Sequence, residues 1–142
     1  MVIVENLARA LASQVNALEV LVVITQFGLI ISKRPLTSRV PDLAMFVKNK
    51  IVEQDGYIHS APELIAEVLS PANTRAERAE KLRDYEALGV PEVWVLSPEA
   101  RTIEVLQLHG GTLSTKQVGT QGQLSPQRFP GVAVEVSSIW PD

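Results

Sequence analysis

Asp42, Glu67 and Lys81 are the residues whose types and positions could do chemistry. Glu67 interrupts an apolar run from Leu64 to Leu69, and its neighbours on one strand face are Ile65 and Leu69. An unpaired carboxylate buried there costs several kcal/mol or takes up a proton. Asp42 follows Pro41 and heads a second apolar run, Leu43 to Val47. Two such carboxylates can offset the cost of burial together by sharing a divalent cation. Magnesium takes oxygen ligands and keeps several waters. Such an ion polarises a phosphoryl oxygen and activates water. Each residue also has a plainer reading. Glu67 could pair with a nearby arginine or lie at a sheet edge, and Asp42 could simply start a strand or turn.

Lys81 becomes notable on a helical wheel. At about 100° per residue, Ala79, Leu82, Tyr85 and Leu88 define a broad apolar arc over the segment Thr74 to Leu88. Lys81 and Arg78 fall inside that arc, so these cations face the sheet if the arc does. A cation there implies an anion waiting for it. The alternative is a surface pair with Glu77, four residues earlier, contributing a few tenths of a kcal/mol.

These residues need elements to hold them. Apolar spacing predicts a helix from Ile3 to Asn16. Val20–Ile24 and Leu29–Ile31 are β-branched runs broken near Gly28 and read as a strand pair. Pro35 and Thr37–Arg39 mark a loop, and a strand follows at Asp42–Val47, apolar on both faces and so central in a sheet. Lys48–Ala61 reads as a polar loop, then a strand at Leu64–Leu69. Thr74 caps the helix to Leu88, with Glu77 three residues on, and Gly89 and Pro91 stop it. Val93–Leu96 and Thr102–Leu108 form a hairpin, Gly110-Gly111 turns again, and Val132–Val136 offers a last strand before a turn near Ile139. The order implies an α/β domain: one mixed β-sheet with flanking helices.

Bulk composition narrows the function. The 142 residues suit one domain with one sizeable core. There is no cysteine, which excludes disulfides, a thiol nucleophile and cysteine-based metal sites. The longest apolar stretch, Leu18 to Ile31, is interrupted by Glu19, Thr25, Gln26 and Gly28, so no membrane span is expected. No signal-peptide pattern is present, and a cytoplasmic location is expected. A net charge of −3 argues against broad phosphate gripping, which needs excess lysine and arginine. The best basic patch is Lys33, Arg34, Arg39, Lys48 and Lys50 around Asp42. His59 and His109 are isolated, and Trp94 and Trp140 read as core or interface residues.

Together, "VPDLAMF", "PELIAEVLSPANTRAERAEKLRDYEALGVPEVWVLSPEARTIEVLQL" and the closing "FPGVAVEV" resemble the Uma-type (Uma-two) family of restriction endonucleases. That family is grouped with the PD-(D/E)XK nuclease superfamily. The likeness covers roughly Val40 to Trp140. It implies a restriction-endonuclease-like core in one domain over residues 1–142, without the N-terminal extension usual in the family. It maps the aspartate of the family's "PD" onto Asp42, the strand glutamate onto Glu67, the helix lysine onto Lys81 and the following aromatic onto Tyr85. The superfamily's usual lysine position, two residues after the glutamate, holds Leu69. Glu77 and Ser97 stand where the family often has aspartate, both at structural positions.

The resemblance implies magnesium- or manganese-assisted hydrolysis of DNA, with a homodimer supplying two sites. Asp42, Glu67 and the backbone carbonyl of Val68 would ligate the metal. Lys81 would orient water or stabilise the transition state, with Tyr85 and Arg78 in support. A non-catalytic binding module that retains the fold is the second expectation. A purely structural dimerisation domain is the third, and it would leave Asp42, Glu67 and Lys81 more than about 10 Å apart, since a shared metal needs oxygens close to it.

Overall fold

The computed structural model describes residues 2–24, 27–33 and 36–141. Thr25, Gln26, Arg34 and Pro35 lie outside the described residues. In chain order the elements are α1 (Val2–Ala12), β1 (Val20–Ile24), β2 (Gly28–Lys33), β3 (Leu36–Arg39), β4 (Leu43–Val47), β5 (Glu53–Gln54), β6 (Tyr57–Ile58) and β7 (Leu64–Val68). They continue with α2 (Arg75–Leu88), β8 (Glu92–Ser97), β9 (Thr102–His109), β10 (Thr112–Gly119), β11 (Gln123–Leu124) and β12 (Val134–Glu135).

The expected mixed sheet with flanking helices is present. Six strands run in the order β1-β4-β7-β8-β9-β10. Only β7 and β8 pair in parallel, joined through α2, and the other neighbours are antiparallel. A parallel pair needs a long crossover, and α2 supplies it. Alternation along β4 and β7 divides the core. Leu43, Met45, Leu64 and Ala66 pack with α1 and the C-terminal segment on one face. Ala44, Phe46 and Ile65 pack with Tyr85 of α2 and Leu29 of β2 on the other. Both faces are therefore apolar, as the sequence of these central strands requires.

Several local expectations give way to longer-range pairing. β1 and β2 do not pair with each other. β1 lies along β4, with Val22 opposite Met45. β2 joins β3 and β6 in a separate four-stranded sheet, order β3-β2-β6-β5. The loop expected at Thr37–Arg39 is within strand β3, which pairs with β2 through Leu29 opposite Arg39 and Ile30 opposite Ser38. The polar loop Lys48–Ala61 holds the β5–β6 hairpin, turned at Asp55 (φ 55°) and Gly56 (φ 80°). Asp-Gly between two strands is a strong hairpin signal because both residues tolerate positive φ. β10 extends the sheet beyond the expected hairpin, α1 ends at Ala12 rather than Asn16, and the last strand shortens to Val134–Glu135.

Helix α2 begins as its sequence dictates. The Thr74 side chain accepts from the Glu77 backbone N–H at 3.1 Å. Gly89 closes the helix in the left-handed region at φ 86°, where its N–H reaches the Tyr85 and Glu86 carbonyls. The apolar arc is narrower than the wheel predicts. Ala79 is exposed, Leu82 and Leu88 are half-buried, and Tyr85 is the helix's buried residue. Removing the cap with Thr74→Ala should lower stability by about 1 kcal/mol, read as a lower urea midpoint with an unchanged slope.

A candidate two-carboxylate site on the central strands

The β4–β7 ladder builds the site. Leu43 pairs with Ala66 and Ala44 with Ile65. The ladder ends there, and Asp42 stands in the bend just before β4, near enough for its charge to act on Glu67. Asp42 Oδ2 accepts the Val68 backbone N–H at 2.8 Å, which fixes its carboxylate beside Glu67. In an extended strand a residue's N–H and C=O leave on the same side, so the Val68 carbonyl also turns toward Asp42.

Glu67 is 8 % exposed. Tyr85 Oη donates to its Oε1 at 2.5 Å, and Lys81 Nζ lies 3.4 Å from its Oε2. Tyr85 and Lys81 are four residues apart on α2, so one helix face delivers both donors. Lys81 thus pairs with Glu67 rather than Glu77. The expected separation of a purely structural domain is absent, because Asp42, Glu67, Lys81 and Tyr85 converge.

Burial dominates the electrostatics. It raises the Glu67 pKa from 4.5 to about 7, and the neighbouring Asp42 charge adds to the rise. The Tyr85 hydroxyl and the Lys81 ammonium oppose it without cancelling it. Tyr85 is pushed far up, first by burial and then by the Glu67 charge, so its hydroxyl stays a donor.

The donor set fits a divalent oxygen-seeking cation. Two neighbouring carboxylates and a carbonyl offer only oxygen, and Glu67 is short of compensating positive charge. Among the described residues no group of three or more histidine, cysteine or acidic side chains converges. An ion held here would have two side-chain carboxylates and would take its remaining ligands from water, as magnesium tolerates. A cavity of about 30 Å³ opens before Glu67, with Lys81, Arg78, Asn73 and Tyr85 in its wall. That is room for ordered water.

Two features eluded the sequence reading. Arg39 of β3 is not part of a free basic patch. Its Nε lies 2.7 Å from Asp84 Oδ2 and its Nη2 lies 3.4 Å from Glu80 Oε1, tying the four-stranded sheet to α2. Lys50 is likewise paired, to Glu63 at 3.3 Å. Lys33 and Lys48 remain exposed, while Arg34 lies outside the described residues. The second feature is the Tyr85–Glu67 bond. A tyrosine in a buried arc carries a hydroxyl that needs a partner, and that need was the available signal. His59 and His109 stay outside the site, and Trp94 and Trp140 are buried on the α1 side.

Among solved structures, the fold is similar to a crystal structure titled as "a putative nuclease belonging to DUF820" from Anabaena variabilis ATCC 29413. The TM-score is 0.78 at 17 % identity, covering 98 % of this chain and 78 % of that one. The class is thus a restriction-endonuclease-like fold. The family model described as "Putative restriction endonuclease" (Uma2) matches residues 2–137, and the chain belongs to that family. No curated protein matches the chain.

The raised Glu67 pKa makes a stability prediction. The folded value of about 7 lies above the unfolded value near 4.5, so the native state holds the proton more tightly. Its stabilising effect is full below about pH 4.5 and is lost as pH rises through 7. The span corresponds to about 3 kcal/mol. Glu67→Gln should flatten the stability profile between these pH values and be the more stable protein at pH 8, in metal-free urea titrations. A mutant profile parallel to wild type would rule out Glu67 as the titrating group.

Proposed function

We propose that this chain is a divalent-metal-dependent endonuclease that hydrolyses DNA phosphodiester bonds, working in the cytoplasm as a homodimer. The observation that carries the reading is the buried Glu67 carboxylate near Asp42 with the Lys81 ammonium on it. A purely structural fold has no need of this arrangement.

Asp42, Glu67 and the Val68 carbonyl would hold magnesium or manganese. When bound, the ion supplies a polarised phosphoryl oxygen and an acidified water. The protein's own groups do the rest. Tyr85 holds Glu67 Oε1 in place, so the carboxylate cannot rotate away from Asp42. The Val68 N–H holds Asp42 in the same way. Lys81 Nζ, half-exposed beside the cavity, orients the attacking water and offsets the negative charge that grows on the phosphate. Water oxygen bonds to phosphorus, the bond from phosphorus to one sugar oxygen breaks, and that oxygen leaves with a proton. Two copies would cut two strands.

A non-catalytic binding module is the second reading. The net charge of −3 and the engagement of Arg39 and Lys50 in internal ion pairs favour it, since both thin the surface available to DNA. Metal binding separates the two. The chain should bind manganese, with affinity falling about tenfold per pH unit below 7 as protons compete for Glu67. Glu67→Ala should abolish that binding. Lys81→Ala should keep the fold and the metal yet lose at least about a hundredfold in plasmid nicking. A folded Lys81→Ala protein that nicks normally would remove Lys81 from the mechanism, and a wild-type chain that binds no manganese would favour the module.

A further inference from the structure

Arg78 stands one helical turn before Lys81 and also lines the cavity before Glu67. Residues three apart on a helix are surface neighbours, so the two cations form one edge. Arg78 is half-buried, yet it has no acidic partner among the described residues. Arg39, Lys50, Lys81 and Arg128 all have one. A second hollow of about 200 Å³ continues from the first, walled by Ser70, Asn73, Thr74, Arg75 and Arg78. Leu69, Asn73 and Arg78 belong to both walls, so the hollows meet at Arg78. Arg75, exposed at the far end, has no acidic partner among the described residues either.

A polyanion with a phosphate at every unit needs more than the point of cleavage. Its next phosphate must lie somewhere along the surface, and an unpaired guanidinium matches phosphate with paired N–H donors. We propose that the phosphate flanking the scissile one is held by Arg78, and that the nucleic-acid strand leaves the site along the second hollow toward Arg75. The inference rests on the nuclease reading and adds a direction to it. The strand crosses the first turn of α2 and does not run toward the Arg39 side, where the cation is engaged by Asp84 and Glu80. Glu77, also in the wall of the first hollow, faces the same path and sets a limit on affinity through repulsion.

The test is binding of the full chain to a fluorescein-labelled DNA duplex, by anisotropy with calcium in place of magnesium, beside nicking assays in manganese. Arg78→Ala should weaken binding about tenfold and lower the slope of log affinity against log salt by about one. It should raise KM more than it lowers kcat. Arg78→Lys should keep the slope and regain part of the affinity, which a packing defect would not allow. Arg75→Ala should give a smaller loss in the same direction, and serves if Arg78→Ala does not fold. Wild-type affinity and slope in folded Arg78→Ala, from a chain that does nick, would overturn this inference alone. A wild-type chain that neither binds nor nicks would overturn the nuclease reading and this inference with it.

Discussion

A carboxylate out of water has to be answered, and the way Glu67 is answered organises this molecule. Its burial follows from β7 lying mid-sheet between β4 and β8. Its oxygens are met by a tyrosine and a lysine from α2, while a second carboxylate stands nearby and worsens the charge. No apolar packing rule produces such an arrangement. Burial and the second carboxylate together hold the Glu67 proton more tightly than water would.

The same interaction docks α2. The helix buries one side chain, Tyr85, and that side chain ends in the bond to Glu67. Leu82 and Leu88 rest half-buried on the same apolar cluster, and polar ties add to them. Asp84 and Glu80 hold Arg39, Lys81 reaches Glu67, and Glu86 Oε2 accepts the Leu113 backbone N–H at 2.6 Å. Helix α1 is the opposite case, seated through Ile3, Val4, Leu7 and Leu11 in apolar contact with the sheet. Both faces of the sheet are apolar, but the α2 face also carries the buried carboxylate and its polar partners.

Sequence made some of this legible because some residues break a local rule. Glu67 violates the apolar pattern of its strand, Lys81 violates the apolar arc of its helix, and Thr74 and Gly89 mark the ends of that helix. The proximity of Asp42 and Glu67 was not readable from periodicity, since it depends on a register between segments 25 residues apart. Family likeness supplied it. Partners that are distant in sequence and chemically unremarkable stayed hidden. β1 chose β4 over the nearer β2, and Arg39 chose α2 over solvent. The Asp55-Gly56 turn was written locally, but it was masked by polar neighbours that read as loop.

Helix α2 fully buries one side chain, Tyr85, whereas β4, β7 and β8 are buried along almost their whole length. Yet both of its ends run into β7 and β8, the paired strands at the sheet's centre. It is therefore tethered like a handle fastened at two points. Lys81 and Arg78 are carried by this helix, while Glu67 lies within β7 and Asp42 just before β4. The cationic and anionic groups of this cluster thus rest on different elements, so their spacing is set by how α2 seats on the sheet and not by either element alone.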